Sequence, residues 1–547
     1  MNLPTSARRP LEGERFQVIV IGGGINGVAI ARQCARAGRR TLLIEQHDFA
    51  SGTTSRSTRI VHGGLRYLEN GELGLVRESL RERQRLLQER PHLVHPIEFL
   101  LALGPNSRRG ALSVRAGLWL YQRMGGKRLQ SETVQSEWNK LQRLLDAGRR
   151  WSIFSYEDAQ CEFPERLVAE WLGEALEAGA VARNHTQVLA IDVRHGRAQG
   201  VLLRDKLSGR EERVEGTWVV NATGPWVDRL CQRSRIDTKG AMVGGVRGSH
   251  IVLPKFAGAP DAAVYSECPD GHMFFVVPWN DQILVGATEV PDHGDPAKTE
   301  PSQDEVEYLL RSLARLFPKT RILRDAVRFA FCGIRPLPAS AQQNPSKITR
   351  RHIFHHHAED GAANAISVIG GKLTTAAQLA RGCVIEMGLR PKEASTVAVV
   401  PEDGLDPLLD QLVVQIANTA GTGERSARGI VEWHGRRSSA IARLAREDTK
   451  MRAPLCSHTE HIVAEAVDAF TDECAITLAD VLLRRVPVAL GPCWSQACGR
   501  EAVARIRAAV GWSEKQAAAE LENFEVERAA FLRKPVQAAT PLLAAAD

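Results

Sequence analysis

Three glycines and an acid are the residues of this chain best suited to holding a nucleotide. Within VIVIGGGINGVAIARQCARAGRRTLLIE (18–45), Gly22, Gly24 and Gly27 have the spacing G-x-G-x-x-G, and Glu45 closes the stretch. Such a set can grip a pyrophosphate. Gly22 permits a tight strand-to-helix turn, Gly24 lets phosphate oxygens reach the backbone, and Gly27 lets helix and strand pack closely. An acid at the end of the second apolar run can bind both ribose hydroxyls of an adenosine. Glu45 in place of a basic residue favours FAD or NAD over NADP.

These residues work only if particular elements carry them. The apolar run Val18–Ile21 must be a buried strand, the stretch to Arg36 a helix, and Thr41–Ile44 a second strand, so that the first helical turn presents its N–H groups to phosphate. Residues 1–15 read as a loose leader. Residues 72–90 carry Leu73, Val76, Leu80 and Leu87 at helical spacing, and Pro91 ends that helix. A second amphipathic helix is expected over 160–182. Residues 187–222 alternate as strands and run into Asn221-Ala222-Thr223-Gly224, a second strand-to-glycine turn that can face a nucleotide. Residues 241–290 are strand-rich and read as an antiparallel sheet roofing a site. A helix over 303–317 and a strand leading to Gly333 follow. A third strand then meets Gly370-Gly371 and opens another helix at ISVIGGKLTTAAQLARG (366–382). From about residue 403, Ala, Leu, Arg and Glu dominate with helical period.

Composition bounds the answer. The chain has 547 residues, 44% hydrophobic and 25% charged, which suits a globular protein of about two to four domains. No run of apolar residues is long enough to span a bilayer. The N-terminal stretch lacks an apolar signal core, so a cytoplasmic location is expected. Ten cysteines are scattered without a CxxC, which points to reduced thiols. The net charge of +7 suits a solvated mixed surface or a face that attracts anionic lipid. Nucleic acid is not expected as a partner, because the basic residues are dispersed and aromatics make up only 5%.

After Glu45 the chain reads ASGTTSRSTRIVHGGLRYL (50–68). Together with GGGINGVAIAR this resembles the FAD-dependent glycerol-3-phosphate dehydrogenases of the bacterial respiratory and mitochondrial type. The likeness continues through VNATGPWV (220–227), RGSHIVLP (247–254), GATEVPDHGDP (286–296), CGIRPL (332–337), ITR (348–350), ISVIGGKLTT (366–375) and VAEAVDAFTDECAITLADVLLRR (463–485). The resemblance implies an α/β fold in three parts. A Rossmann-like FAD-binding domain comprises 14–105, 151–240 and 345–402. A substrate or cap domain with an antiparallel sheet comprises 106–150 and 241–344. An all-helical C-terminal domain covers 403–533, with a disordered tail at 534–547. The sequence departs from the family pattern at Glu162–Leu167, at Gly286-Ala287-Thr288-Glu289 and at Ala376-Ala377-Gln378.

The implied activity is oxidation of sn-glycerol 3-phosphate to dihydroxyacetone phosphate, with hydride passing from C2 to flavin N5 and electrons onward to a membrane quinone. The alternatives are an oxidase using oxygen, an amine or 2-hydroxy-acid oxidoreductase of the same superfamily, and a flavin-binding paralogue without turnover. Peripheral contact with the anionic inner face of the membrane is expected, and a homodimer is left open. Gly22, Gly24, Asn26 and Gly27 would meet the pyrophosphate, and Glu45 the ribose. Thr53, Thr54 and Ser55 would lie near the flavin, with Ala222, Thr223 and Gly224 on the other side. Gly371, Lys372, Leu373 and Thr374 would reach the flavin ring, with Lys372 near its reactive edge. A lysine at a helix start is electrostatically unfavourable unless an anion is present. Arg66 and Arg335 are the substrate cations, since the guanidinium fork suits phosphate oxygens, and Tyr67 adjoins Arg66. His62 and His250 compete as the base. His355-His356-His357 is read as a loop, and no metal site is expected.

Overall fold

The computed structural model describes residues 9–69, 71–105, 107–125, 132–268, 270–320, 322–340, 348–392 and 405–534. The first βαβ unit forms as its apolar pattern dictates. Strand Arg15–Ile21 leads into helix Ile25–Arg36, and strand Thr41–Ile44 returns parallel to the first. Four-residue burial of Thr41–Ile44 explains its unbroken apolar run. Strand Glu211–Asn221 lies parallel on the other flank, followed by Ala365–Ile369 and the edge strand Ile353–His356. Helix Ile25–Arg36 packs between helices Pro164–Glu177 and Ala376–Glu386. Of the leader expected over 1–15, the described residues just ahead of the first strand are anchored rather than loose, while 1–8 lie outside the described residues. Leu11 is buried and its N–H donates to Glu212 at 2.6 Å.

A second, nine-stranded sheet stands over the C-terminal ends of the first. Its long strand Val243–Pro254 pairs antiparallel with Gln282–Gly286 and Phe329–Pro338. Helix Gln303–Leu316 backs it, with a Ser302–Glu305 capping box at its start. The sheet is antiparallel except where Ala263–Glu267 runs parallel to Val94–Leu103. It also draws in Ile60–Val61, Val94–Leu103 and Ser152–Cys161. This corrects the boundaries expected at 14–105 and 151–240, which gave those strands to the nucleotide domain. Their pairing partners are each other and a strand near residue 265, so nothing local marks their allegiance. The helix expected over 160–182 is shorter, Pro164–Glu177. Residues 160–161 finish a strand, and Pro164 occupies the first helical turn, where its missing N–H costs nothing. Helix Leu73–Glu89 buries Val76 and Leu80, but Leu73 faces solvent.

From Leu405 the described residues are helical, from Leu405–Ala420 to Glu514–Phe531, apart from turns and two isolated bridges. The tail 535–547 lies outside the described residues.

Candidate active site

A cavity of about 1110 Å³ runs between the two sheets, large for a single small ligand and suited to a dinucleotide with a substrate beside it. Its wall includes Glu45, His47, Gln187 and Val188, the turn residues Gly22, Gly24, Thr54 and Ala222, and the group Tyr67, Arg335, Arg350 and Lys372.

The three glycines divide their work as their spacing predicts. Gly22 has φ +106°, and a Cβ there would lie 2.5 Å from the carbonyl oxygen of Ala222. A Cβ on Gly27 would lie 1.8 Å from the carbonyl oxygen of Gly22. Both are packing requirements. Gly24 differs, since a Cβ there would meet only Thr54 Oγ1, at 3.4 Å, with the cavity beyond. Helix Ile25–Arg36 has no side-chain cap at Gly24 and no acid in its first turn. That leaves a positive helix end facing open space, which fits a pyrophosphate. Glu45 accepts the N–H of Gly23 at 2.7 Å and that of His47 at 2.9 Å, while burial pulls its carboxyl upward.

Several expected contacts prove to be scaffolding. Ser55 sits in the 3-10 turn Thr53–Arg56, which rotates it inward to donate to Ala50 O at 2.7 Å, and it is absent from the cavity wall. Thr53 lines the cavity and donates to Ile334 O at 2.9 Å, tying this turn to the second sheet. Thr54 accepts the Ile25 N–H at 3.1 Å. Asn26 reaches across to Gly370 O at 3.2 Å and leaves its Oδ1 buried without a partner. Thr223 closes onto Asn221 Oδ1, and Gly224 with φ +60° turns the chain into Pro225. Gly371, Leu373 and Thr374 line the wall, and Thr374 Oγ1 takes the backbone N–H of His62 at 3.1 Å.

Lys372 lies four residues ahead of helix Ala376–Glu386, not at its first turn, because the Gly-Gly turn is followed by Lys372–Thr375 before the helix begins. The helix-end argument therefore does not hold it. Its Nζ donates to Ser79 Oγ at 2.8 Å and stands 4.4 Å over the Tyr67 ring. Burial pushes it down to about 7. Arg335 lies half-buried on strand Phe329–Pro338 and donates to Thr288 O at 3.1 Å. Gly248 on the adjoining strand leaves room for it, since a Cβ there would meet the guanidinium at 2.6 Å. Arg66 belongs to helix Leu65–Glu69, but its side chain lies outside the described residues.

The two histidines separate by environment. His250 is buried, shares its Nε2 with Thr58 Oγ1 at 2.9 Å and stacks on Phe331. Burial, with Arg335 and Arg59 nearby, drives it down to about 3. His62 is half-buried on the wall, 6.1 Å from the Tyr67 ring between centroids. The histidine run is not a loop. His355 and His356 end edge strand Ile353–His356, where alternation turns His355 toward Asp360 and His356 toward Glu386.

Arg350 escaped the sequence reading as a site residue. It lines the same cavity and meets Glu289 at 3.0 Å. Asp158 was also missed. It accepts from Arg83, Tyr121 and the N–H of Gly63, and so fixes the loop that carries His62. The ITR motif was the available signal for Arg350, while Asp158 had none.

Fold and cavity together define a FAD-dependent oxidoreductase. The profile described as "FAD dependent oxidoreductase" matches residues 17–395, and that described as "C-terminal domain of alpha-glycerophosphate oxidase" matches 398–517. The glycerol-3-phosphate dehydrogenase of Synechocystis sp. is 36% identical over 88% of this chain and 90% of its own. The D-erythritol 1-phosphate dehydrogenase of Brucella abortus is also 36% identical, over 68% of this chain and 73% of its own. The fold matches the glycerol-3-phosphate dehydrogenase from Bacillus halodurans complexed with FAD with a TM-score of 0.74, at 23% identity over 97% of both chains. The chain belongs to the family of FAD-dependent glycerol-3-phosphate dehydrogenases.

Proposed function

We propose that the protein oxidises sn-glycerol 3-phosphate to dihydroxyacetone phosphate. The observation that carries this reading is that Arg335, Arg350 and Lys372 line one cavity, with Arg335 and Arg350 bonded to the consecutive residues Thr288 and Glu289 and Arg350 close enough to act on Lys372. Arg335 and Lys372, beside the Glu289-bound Arg350, suit a dianionic phosphate and would hold C2 in register for transfer. Bound FAD supplies the two-electron acceptor for the hydride of C2. Gly22, Gly24 and the open helix end would hold its pyrophosphate, and Glu45 its ribose.

A base must take the hydroxyl proton. Efficient bases titrate near the working pH, and His250 at about 3 is far below it. His62, half-buried on the cavity wall, is left as the acceptor, and His250 serves as a neutral polar wall. Replacing His62 by Asn should lower kcat by about 10²-fold or more, with flavin content unchanged.

The electrons then pass to a membrane quinone. Among the described residues no helix is long and apolar enough to cross a membrane. Helix Ala111–Gly125 supports peripheral contact instead. It exposes Leu112 at 84% and Trp119 at 63%, beside Arg115 and Arg123. Basic residues next to exposed aromatic and aliphatic groups favour an anionic lipid surface. The test is turnover of purified protein with glycerol 3-phosphate in the presence of anionic vesicles. Quinone analogues should be reduced much faster than oxygen, the protein should pellet with vesicles at low salt, and its mass in solution would reveal any homodimer. Stoichiometric peroxide release without a response to quinone would favour an oxidase. A higher kcat/KM for D-erythritol 1-phosphate would move the substrate to the longer polyol.

A further inference from the structure

Three of the ten cysteines and one histidine gather in the C-terminal helical region, and none lines the cavity. Cys456 and His458 lie in the loop closed by the Pro454–Ile462 bridge. Cys493 precedes helix Gln496–Val510, and Cys498 sits in its first turn. One donor atom from each of Cys456, His458 and Cys498 falls within 4.8 Å of the other two. The Cys498 Sγ to His458 Nδ1 separation is 3.5 Å. Zinc–ligand distances of about 2.3 Å to sulfur and about 2.0–2.1 Å to nitrogen give a tetrahedral S···N edge of about 3.6 Å. That pair therefore already stands at the spacing of two ligands on one tetrahedral ion. Cys493 Sγ is adjacent, 3.7 Å from the carbonyl oxygen of His458, and its own carbonyl takes the Cys498 thiol at 3.6 Å.

The surroundings hold this geometry. Ser457, between two of the donors, is fastened to Glu501 of the helix by its N–H at 2.8 Å and its hydroxyl at 3.1 Å. Ser495 caps the helix that carries Cys498. A thiolate gains from a helix N-terminus. Cys456 and Cys498 are both buried, while His458 and Cys493 cover them from the solvent side. The rival cluster, His355, His357 and Asp360, is closed on itself. Asp360 accepts from both rings, and His357 also pairs with Ser367.

We propose that Cys456, His458 and Cys498 bind one zinc ion that clamps the 454–462 loop to helix Gln496–Val510, with the exposed Cys493, which now points at the His458 carbonyl, turning in to supply the fourth ligand. Binding is redox-neutral: the thiols release their protons and the imidazole donates as the neutral ring. A filled Cys₃His set leaves no open position, so the ion is structural and takes no part in turnover.

The test uses the full-length flavoprotein without an affinity tag, purified without chelator from zinc-supplemented cells. Elemental analysis should find one zinc per chain. Exchange with cobalt(II) should give the intense thiolate charge-transfer and visible bands of a tetrahedral site. His458→Ala, at an exposed position, and Cys498→Ala should each lose the ion and unfold at lower temperature, with the FAD content of the His458 variant unchanged. Three results would overturn the proposal. One is a zinc-free protein that gives no cobalt–thiolate band. Another is full zinc retention in both variants. The third is a mass two hydrogens low that reductant restores, which would mean a disulfide.

Discussion

The FAD cavity and the seam that joins the nucleotide sheet to the C-terminal helices both bury charge, and Lys372 in the cavity is treated unlike the arginines of the seam. At the seam, Arg166 meets both oxygens of Glu473 at 2.7 and 2.8 Å and gives two further hydrogens to Trp433 O and Arg485 O. Arg485 likewise meets both oxygens of Asp48, at 2.7 and 2.8 Å. In the cavity, Lys372 has a hydroxyl and an aromatic face, and no ion pair to it is found among the described residues. A cation matched by a carboxylate holds a fold together. A buried amine with no carboxylate in contact, only Glu78 and Glu72 at longer range, is held ready for a closer anion.

Glycine substitutions should break this contrast most completely. Gly27→Val would drive side-chain atoms into the Gly22 carbonyl, 1.8 Å from the first carbon added, so no folded protein is expected. Gly24→Val meets mainly the cavity, so the chain should fold with native circular dichroism and yet be colourless. A yellow Gly24→Val protein would contradict the assignment of the pyrophosphate to this turn.

The seam comes next. Arg166→Ala strands a buried carboxylate and should cost about 3–5 kcal/mol in denaturant unfolding, whereas Arg166→Met with Glu473→Leu should recover most of it. Burial raises the Glu473 carboxyl, but Arg166 overrides it and holds the group at about 2, below its ordinary 4.5. A depressed carboxylate stabilises fully above its unfolded value and loses that contribution as pH falls toward the folded one. The wild type should therefore lose stability between about pH 4.5 and 2, and the apolar double variant should lose less.

In the cavity, Arg335→Ala should cost about 1.5–3 kcal/mol in kcat/KM, as for one hydrogen bond to a charged group. Stability and flavin content should barely change. Wild-type kinetics would remove Arg335 from the substrate end.

Lys372 gives the finest test. Its folded value of about 7 lies below the ordinary 10.5. Between these values the unfolded chain holds a proton that the folded chain lacks, so this group's contribution to stability rises with pH across the window and is lowest below pH 7. A dianion bound beside it would restore the proton. Inhibition by sulfate, a dianion throughout, should therefore weaken by up to about tenfold per pH unit above 7. Lys372→Arg, charged at every pH, should show a flat profile.

The same contrast explains what the sequence disclosed. The Gly22–Gly27 turn and Glu45 were readable because local backbone geometry demands those residue types within one βαβ unit. Arg335 and Lys372 were readable through the motifs that contain them. The strand at 94–103 was misplaced because its partners lie near 157 and 265, and pairing across such separations leaves no local trace. Ser55 looked like a flavin contact because a Ser/Thr run reads alike whether its hydroxyls face a ligand or the backbone. The Arg166–Glu473 pair, 307 residues apart, could not be distinguished from two surface charges.

The central claim is that a phosphorylated polyol reduces the flavin at the cation-lined end of the cavity. Anaerobic stopped-flow mixing of the holoprotein with sn-glycerol 3-phosphate tests it directly. The account predicts rapid bleaching of the flavin with one dihydroxyacetone phosphate formed per flavin, unchanged by glycerol alone and much slower in Arg335→Ala. A flavin that stays oxidised with glycerol 3-phosphate, or that glycerol bleaches equally fast, would contradict it.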